Sequence, residues 1–200
     1  MYIPHQFLVA DRAVLFDLMA QFNFATLVTT QDGVPVATHL PFLVKPDAGA
    51  HGTLVGHMAR ANAQWQTFAP DREALVIFQG HHAYISPSWY AEHPSVPTWN
   101  YAVVHAYGVP RIVDDYDAVV AILRALVARH EGGFETPWEM NLPDAYQRKM
   151  INGIVAFEIA LTRLEGKFKL SQNRSAADRR GIVAALAQTE GTYQGVGRMM

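Results

Sequence analysis

Residues 96–108, Val-Pro-Thr-Trp-Asn-Tyr-Ala-Val-Val-His-Ala-Tyr-Gly, alternate with a period of two. Trp99, Tyr101, Val103, His105 and Tyr107 fall on one side, and Thr98, Asn100, Ala102, Val104 and Ala106 on the other. Successive side chains of a strand point to opposite faces, so this is a strand with one bulky and one small face. It runs on to about Val113. Residues 153–167 repeat the pattern, with Val155, Phe157, Ile159 and Leu161 facing one way and Ala156, Glu158, Ala160 and Thr162 the other. Two long alternating strands commit the chain to a sheet whose small face is approached closely by neighbouring elements. The bulky face is left to close a pocket or to seal a partner subunit.

The rest of the chain supplies shorter strands and a few helices. Residues 25–44 read as two strands joined at Asp32-Gly33, a pair that tolerates the positive φ of a tight hairpin. Residues 52–58 form another strand, and 59–69 a short helix leaving its end. A buried strand starts at 73–90, and Pro87 ends its regular pairing. Asp11 caps a helix over 12–22 with an apolar stripe of Val14, Leu15, Leu18, Met19 and Phe22. The clearest helix is 115–131, with Val119, Ile122, Leu123, Leu126 and Val127 inward and Gly132-Gly133 as its stop. A short helix follows near 144–152. Ser175 caps another over about 175–188, and the tail 189–200 reads as frayed. Short turns join most strands, which predicts an α+β protein with an antiparallel sheet closing into a barrel and helices outside.

Composition narrows the function classes. The 200 residues suit a single domain, and the 50% hydrophobic content is enough for a core without staples. There is no cysteine, hence no disulfide framework and no thiolate chemistry. The net charge of −2 gives no global reason to bind nucleic acid. Between Arg163 and Arg180, however, six basic residues stand against two acidic ones. That suggests a local anionic ligand. The N-terminus lacks a basic-then-apolar leader, and no apolar run approaches the roughly 20 residues that cross a bilayer, so a cytoplasmic protein is expected.

Standard catalytic signatures are absent: no G-x-S-x-G, Walker A loop, H-E-x-x-H, or G-x-G-x-x-G after a strand. The nine histidines do not fall at metal spacing, and no metal is expected. Polar clusters at strand ends remain. "THLPF" holds Thr38 and His39. "GHMARAN" (56–62) passes from strand to helix with His57, Arg60 and Asn62. Free N–H groups at a helix start, with an arginine fork beside them, suit a phosphate. On these residues alone the plainer reading has Arg60 solvated and His57 as a structural histidine, since anion-competent helix starts are common. Tyr84, Trp89, Tyr90, Trp99 and Tyr101 suit a flat conjugated ligand, or a core or dimer interface. Lys167, Lys169, Gln172 and Asn173 sit in a basic segment that reaches a phosphate or ring edge, or stays solvated.

Several of these segments together resemble the PaiB family, whose members are described as FMN-binding negative transcriptional regulators. "GHMARANAQW", "VIFQGHHAYISPSWY", "VPTWNYAVVHAYG" and "LEGKFKLSQNR" carry the resemblance, with "YIPHQF" and "ATHLPF" before them. It runs in order from about residue 1 to 185. It implies an antiparallel split β-barrel like that of pyridoxamine-phosphate oxidase-like flavoproteins, one domain over 1–200, and a homodimer with FMN between subunits. On that analogy Thr38, His39, Leu40, His57, Ala59, Arg60 and Asn62 lie on the phosphate and ribityl side. Trp99 lies against the ring or its approach, and Lys169 and Gln172 close the site, from either subunit.

Three functions follow from the resemblance and the residues. The first is a flavin-binding homodimer with a regulatory output through flavin or a small-molecule ligand. The second is an FMN-dependent oxidoreductase, with His57, His105 and Tyr107 as acid or base candidates. The third is a repressor that binds DNA directly, for which the arginines at 174, 179 and 180 are the nearest recognition surface.

Overall fold

The computed structural model describes all 200 residues. Eight strands form one sheet: β1 (Leu8–Val9), β2 (Phe24–Gln31), β3 (Val34–Pro41), β4 (Leu43–Lys45), β5 (Thr53–Ala59), β6 (Ala74–Ile85), β7 (Thr98–Val113) and β8 (Ile154–Lys169). Their order is β3-β2-β6-β7-β8-β5-β4, with β1 paired to β8. The helices are α1 (Arg12–Gln21), α2 (Tyr116–Glu131), α3 (Asp144–Asn152), α4 (Ala176–Leu186) and α5 (Gly191–Met199). The chain divides into two compact units, one of residues 1–18, 79–105 and 165–200, the other of 19–78 and 106–164.

In the second unit the β2–β3 hairpin turns where the sequence predicts, with Asp32 at φ 51° and Gly33 at φ 81°. The pairing is antiparallel, Leu27 opposite Thr38 and Ala25 opposite Leu40. β3 and β4 are the two ends of the ladder, yet only Phe42 separates them in sequence. The sheet therefore curls until its ends meet at Phe42, but no hydrogen-bond ladder closes it. Strand periodicity alone predicts closure; the open sheet is instead the split barrel that the family resemblance implies. Phe42 is buried and meets the rings of Phe78 and Phe157 edge-on at 6.0 and 6.1 Å. Gly56 gives these rings room: a Cβ there would meet Phe42 and Phe157 at 3.4–3.5 Å. Burying such a ring contributes about 2–3 kcal/mol. On the opposite face of β5 and β8, Val55 and Ala156 pack under Val119, Ile122 and Leu126 of α2. Asp115 caps α2 by accepting the Ala118 N–H at 2.8 Å.

One polar side chain pins the β2–β3 end of this unit. Gln64, 2% exposed, donates to the Leu27 carbonyl, the Thr29 hydroxyl and the Val36 carbonyl at 3.0–3.2 Å. It sits in a short 3₁₀ turn, Ala63–Thr67. That turn stands where a short helix over 59–69 was expected, because β5 continues to Ala59 and Asn62 caps what remains.

In the first unit, α1 buries Leu15, Leu18 and Met19 as predicted, but it buries Phe16 and leaves Val14 exposed. Gly166 lets Leu15 approach β8, where a Cβ would lie 2.2 Å from Leu15 Cδ2. Ser175 caps α4 by accepting the Asp178 N–H. The buried Asp178 carboxylate accepts the N–H groups of Ala91 and Glu92 at 2.8 and 3.0 Å, which ties α4 to the segment after β6. The tail is not frayed. α5 packs beside α4, and Gly195 lies against the His81 ring, where a Cβ would come within 2.3 Å.

Candidate functional site

The predicted residues fall into two groups, one in each unit. In the second unit, Thr38 and Leu40 share one face of β3, because they pair with Leu27 and Ala25, both fully or nearly buried. His39 points to the other face and stacks on the exposed Phe24 ring, centroids 6.4 Å apart. Asn62 joins Thr38: its Nδ2 donates to Thr38 Oγ1 at 2.9 Å while its Oδ1 accepts the Gln64 N–H at 3.0 Å. The Thr38 hydroxyl hydrogen stays available for a further acceptor.

His57 lies in β5 directly opposite Ala156. Its Nδ1 is buried and has no protein partner, and burial pushes its pKa down. A neutral imidazole with one unsatisfied nitrogen is a group built to exchange a hydrogen bond with something else. Ala59 ends β5 opposite Ile154. Arg60 does not face a helix N-terminus. Its Nε donates to the Asn152 carbonyl at 2.8 Å and its Nη2 to the Ile154 carbonyl at 2.7 Å. Two of its three nitrogens thus bridge the end of α3 to the start of β8. A five-residue 3₁₀ turn also supplies no helix dipole of consequence, so the anion argument made from a helix start has no support here.

In the first unit, the small face of β7 is the buried one, with Asn100, Ala102, Val104 and Ala106 at 0% exposure. The bulky face stays partly open. Trp99 is 49% exposed, its ring tilted 6.3 Å from His82 and edge-on to Tyr84 at 6.0 Å. Lys169 Nζ donates to the Thr98 hydroxyl. Burial lowers its pKa; Tyr101 raises it and Lys167 lowers it. Gln172 is not free to reach outward: its Oε1 accepts the Leu170 N–H at 2.7 Å and its Nε2 donates to the Phe168 carbonyl at 2.5 Å. It shapes the turn at Ser171, which has φ 60°. Ser171 in turn donates to the buried Asn100 Oδ1 at 3.1 Å. Of the acid-base candidates outside the predicted set, His105 has its pKa lowered, first by burial. Tyr107 lies under the Arg163 guanidinium, 3.8 Å from its centre.

Sequence reasoning gave no role to Gln64, Asn100 or Asp178. A polar residue within an apolar pattern was the available signal at Asn100, and nothing local marked the partners of the other two.

The donor set fits FMN in kind. His57 offers an orphaned buried nitrogen, Thr38 a hydroxyl, Lys169 a cation and Trp99 an open aromatic face. Gln172 does not add to it. In the first unit the Trp99 face suits a flat ring, and in the second Thr38 and His57 suit a polar chain.

Comparison with known proteins agrees. A family model described as "Putative FMN-binding domain" matches residues 1–163. Protease synthase and sporulation protein PAI 2 of Bacillus subtilis is 38% identical over 194 residues, covering 95% of this chain and 91% of that protein. An uncharacterised protein of Emericella nidulans is 32% identical over 184 residues, covering 74% of this chain and 73% of its own. Two solved structures share the fold. The flavocytochrome Anf3 of Azotobacter vinelandii has a TM-score of 0.66 at 16% identity, covering 82% of this chain and 70% of that one. The FAD and heme binding protein of Mycobacterium smegmatis has a TM-score of 0.64 at 21% identity, covering 88% and 79%. The antiparallel sheet with unjoined ends is thus the split barrel of these flavoproteins. Sequence, sheet and relatives converge: the chain belongs to the PaiB family of FMN-binding domains, and FMN is its cofactor.

Proposed function

We propose that this protein is a cytoplasmic homodimer that binds FMN and exerts a negative regulatory effect on transcription through its flavin or a small-molecule ligand. The observation that carries the reading is the open face of β7: Trp99 is 49% exposed beside His82 and Tyr84, while on the opposite face Asn100, Ala102, Val104 and Ala106 are fully buried. A strand that exposes its largest aromatic and buries its alanines has that face reserved for a ligand or partner. In this reading Thr38, Leu40, His57, Ala59 and Asn62 serve the phosphate and ribityl chain, and His39 and Arg60 only frame them, His39 from the other face of β3 and Arg60 by holding the Asn152 and Ile154 carbonyls. Trp99 and Lys169 serve the ring side, with Gln172 holding the turn beside them. FMN bound there would supply electron storage, and the chain would orient and enclose it.

Direct DNA binding is the weaker reading. Arg174 lies over the Tyr90 ring at 4.2 Å, and Arg179 donates to the Met200 carbonyl at 2.6 Å. Only Arg180 of that group is exposed. α5 follows α4 after a short link, but its single basic residue, Arg198, is bonded to Gln194. Neither helix presents a basic recognition face. No helix is long and apolar enough to cross a membrane.

FMN titration of purified protein, followed by visible absorbance alongside size-exclusion chromatography, tests the reading. A yellow dimer with one FMN per subunit is expected. A monomer that ignores FMN in excess overturns it. Reduction of the bound flavin by NADH or NADPH above the free-flavin rate would instead favour the oxidoreductase reading. Sequence-selective duplex binding with sub-micromolar affinity would favour the direct repressor.

A further inference from the structure

A cavity of about 210 Å³ lies in the second unit, beside the buried Gln64 that pins β2 to β3. Two of its lining residues, Thr29 and Thr67, are bonded to Gln64. Thr29, 6% exposed, accepts a Gln64 Nε2 hydrogen at 3.1 Å, so its own hydroxyl hydrogen is left to donate elsewhere. Thr67 is the reverse: its hydroxyl donates to the Gln64 carbonyl at 2.7 Å, and its oxygen is left to accept. Gln64 Oε1 is itself buried without a partner, so the hydrogen bonding of this corner is incomplete in the protein alone.

Arg72 and Glu73 add opposite charges to the same lining. They are consecutive in sequence, yet Arg72 joins no ion pair. Glu73 Oε1 accepts the Thr162 hydroxyl at 2.5 Å, which leaves Oε2 to accept. Ala74 and the buried Pro110 supply the apolar side. A guanidinium fork with a hydroxyl hydrogen suits a carboxylate. A carboxylate oxygen with a hydroxyl oxygen suits an ammonium. A ligand of one charge would satisfy one of these sets and leave the other against a like charge. Size narrows the class further. Drug-sized ligands fill about 300–1,000 Å³, whereas this cavity holds about seven water volumes of ~30 Å³. That is room for alanine or serine and not for a three-ring flavin.

We propose that this cavity is a binding site for a small α-amino acid in its zwitterionic form. Arg72 and Thr29 hold the carboxylate, and Glu73 and Thr67 hold the ammonium. Ala74 and Pro110 limit the side chain to a few atoms. Neither half of the ligand alone meets both sets of groups, so selectivity comes from carrying two opposite charges one carbon apart. None of these residues serves FMN in the reading above, so the site stands independently of the flavin; under the regulatory reading it names the small-molecule ligand.

Calorimetric titration of L-alanine, propionate and ethylamine into the full chain, with and without saturating FMN, tests this. Alanine is expected to bind both forms roughly ten-fold or more tighter than propionate or ethylamine, each of which carries one half of its charge. L-Tryptophan, too large for the cavity, is expected not to compete with alanine. Arg72 and Glu73 are exposed, so Arg72→Met and Glu73→Gln are expected to keep the thermal melt. Each is expected to weaken alanine by roughly ten-fold or more, and Glu73→Gln to erase the preference for alanine over propionate. Absence of alanine binding, equal binding of alanine and propionate, or unchanged affinity in Arg72→Met overturns the proposal. Competition by tryptophan does so as well. So does displacement of alanine by FMN, which would make the cavity part of the flavin's own site. Failure of FMN itself to bind would leave the FMN-free titrations decisive and would count against the flavin reading alone.

Discussion

His57 shows how a single side chain can report on its surroundings. Its folded-state pKa lies below the ordinary 6.5 because burial disfavours the charged ring. The unfolded chain therefore takes up the proton first as the pH falls. The stabilisation is fully present above about pH 6.5 and is lost as the pH drops toward the folded pKa. His81 and His105 shift the same way, so they share the slope. We expect the melting temperature of the FMN-free protein to fall between about pH 7 and pH 5, and the fall to be shallower in His57→Gln. An unchanged slope in the variant would assign the effect to the other two histidines. The sequence marked His57 because a histidine within an apolar strand stands out. It could not mark Gln64, whose three acceptors lie 28 to 37 residues away, nor reveal that Arg60 would spend its guanidinium on carbonyls some 90 residues distant. Side-chain type is local information; hydrogen-bond partners are set by the register of distant strands.

At the scale of elements, what depends on neighbours in sequence was legible. The Asp32-Gly33 turn, the caps at Asp115 and Ser175, and the period-two strands β7 and β8 formed where their residues dictate. The elements misread were those decided by tertiary contact. α5 carries three glycines and little intrinsic helix preference, yet it forms because Gly195 can lie flat on His81 and Val196 is fully buried. The open ladder between β3 and β4 is not legible in strand periodicity, since it is a missing contact between strands and not a property of either; only the family resemblance carried it. Close approach on the small face of β7 gives a sharp test. A Cβ on Gly108 would sit 2.3 Å from the Ala160 carbonyl oxygen and 2.8 Å from Ile159 Cγ2. Backbone cannot yield as a flexible side chain can, so Gly108→Ala should cost about 3 kcal/mol. That corresponds to a melting temperature lowered by roughly 6–12 °C. A drop of a degree or less would mean that β7 and β8 can part more easily than their spacing implies.

At the scale of the whole molecule, exposure separates folding from assembly. Trp99 is 49% exposed, so removing its ring should leave the melting temperature of the FMN-free chain nearly unchanged. Trp99→Ala is expected instead to lower flavin retained per subunit or to shift the sedimentation equilibrium toward monomer. A variant with full flavin occupancy and an intact dimer would show that this face serves neither purpose. The single-residue link at Phe42 bears on the molecule's history as well as its packing. A peptide stretch that short has no slack, and its side chain is locked between the rings of Phe78 and Phe157 and against Gly56, so extra residues cannot be spliced in there without prising apart the ends of the sheet. Length changes among kindred proteins should therefore collect at slack places such as the 46–52 turn or the 132–143 connection. The Phe42 crossing should keep its spacing wherever this architecture survives.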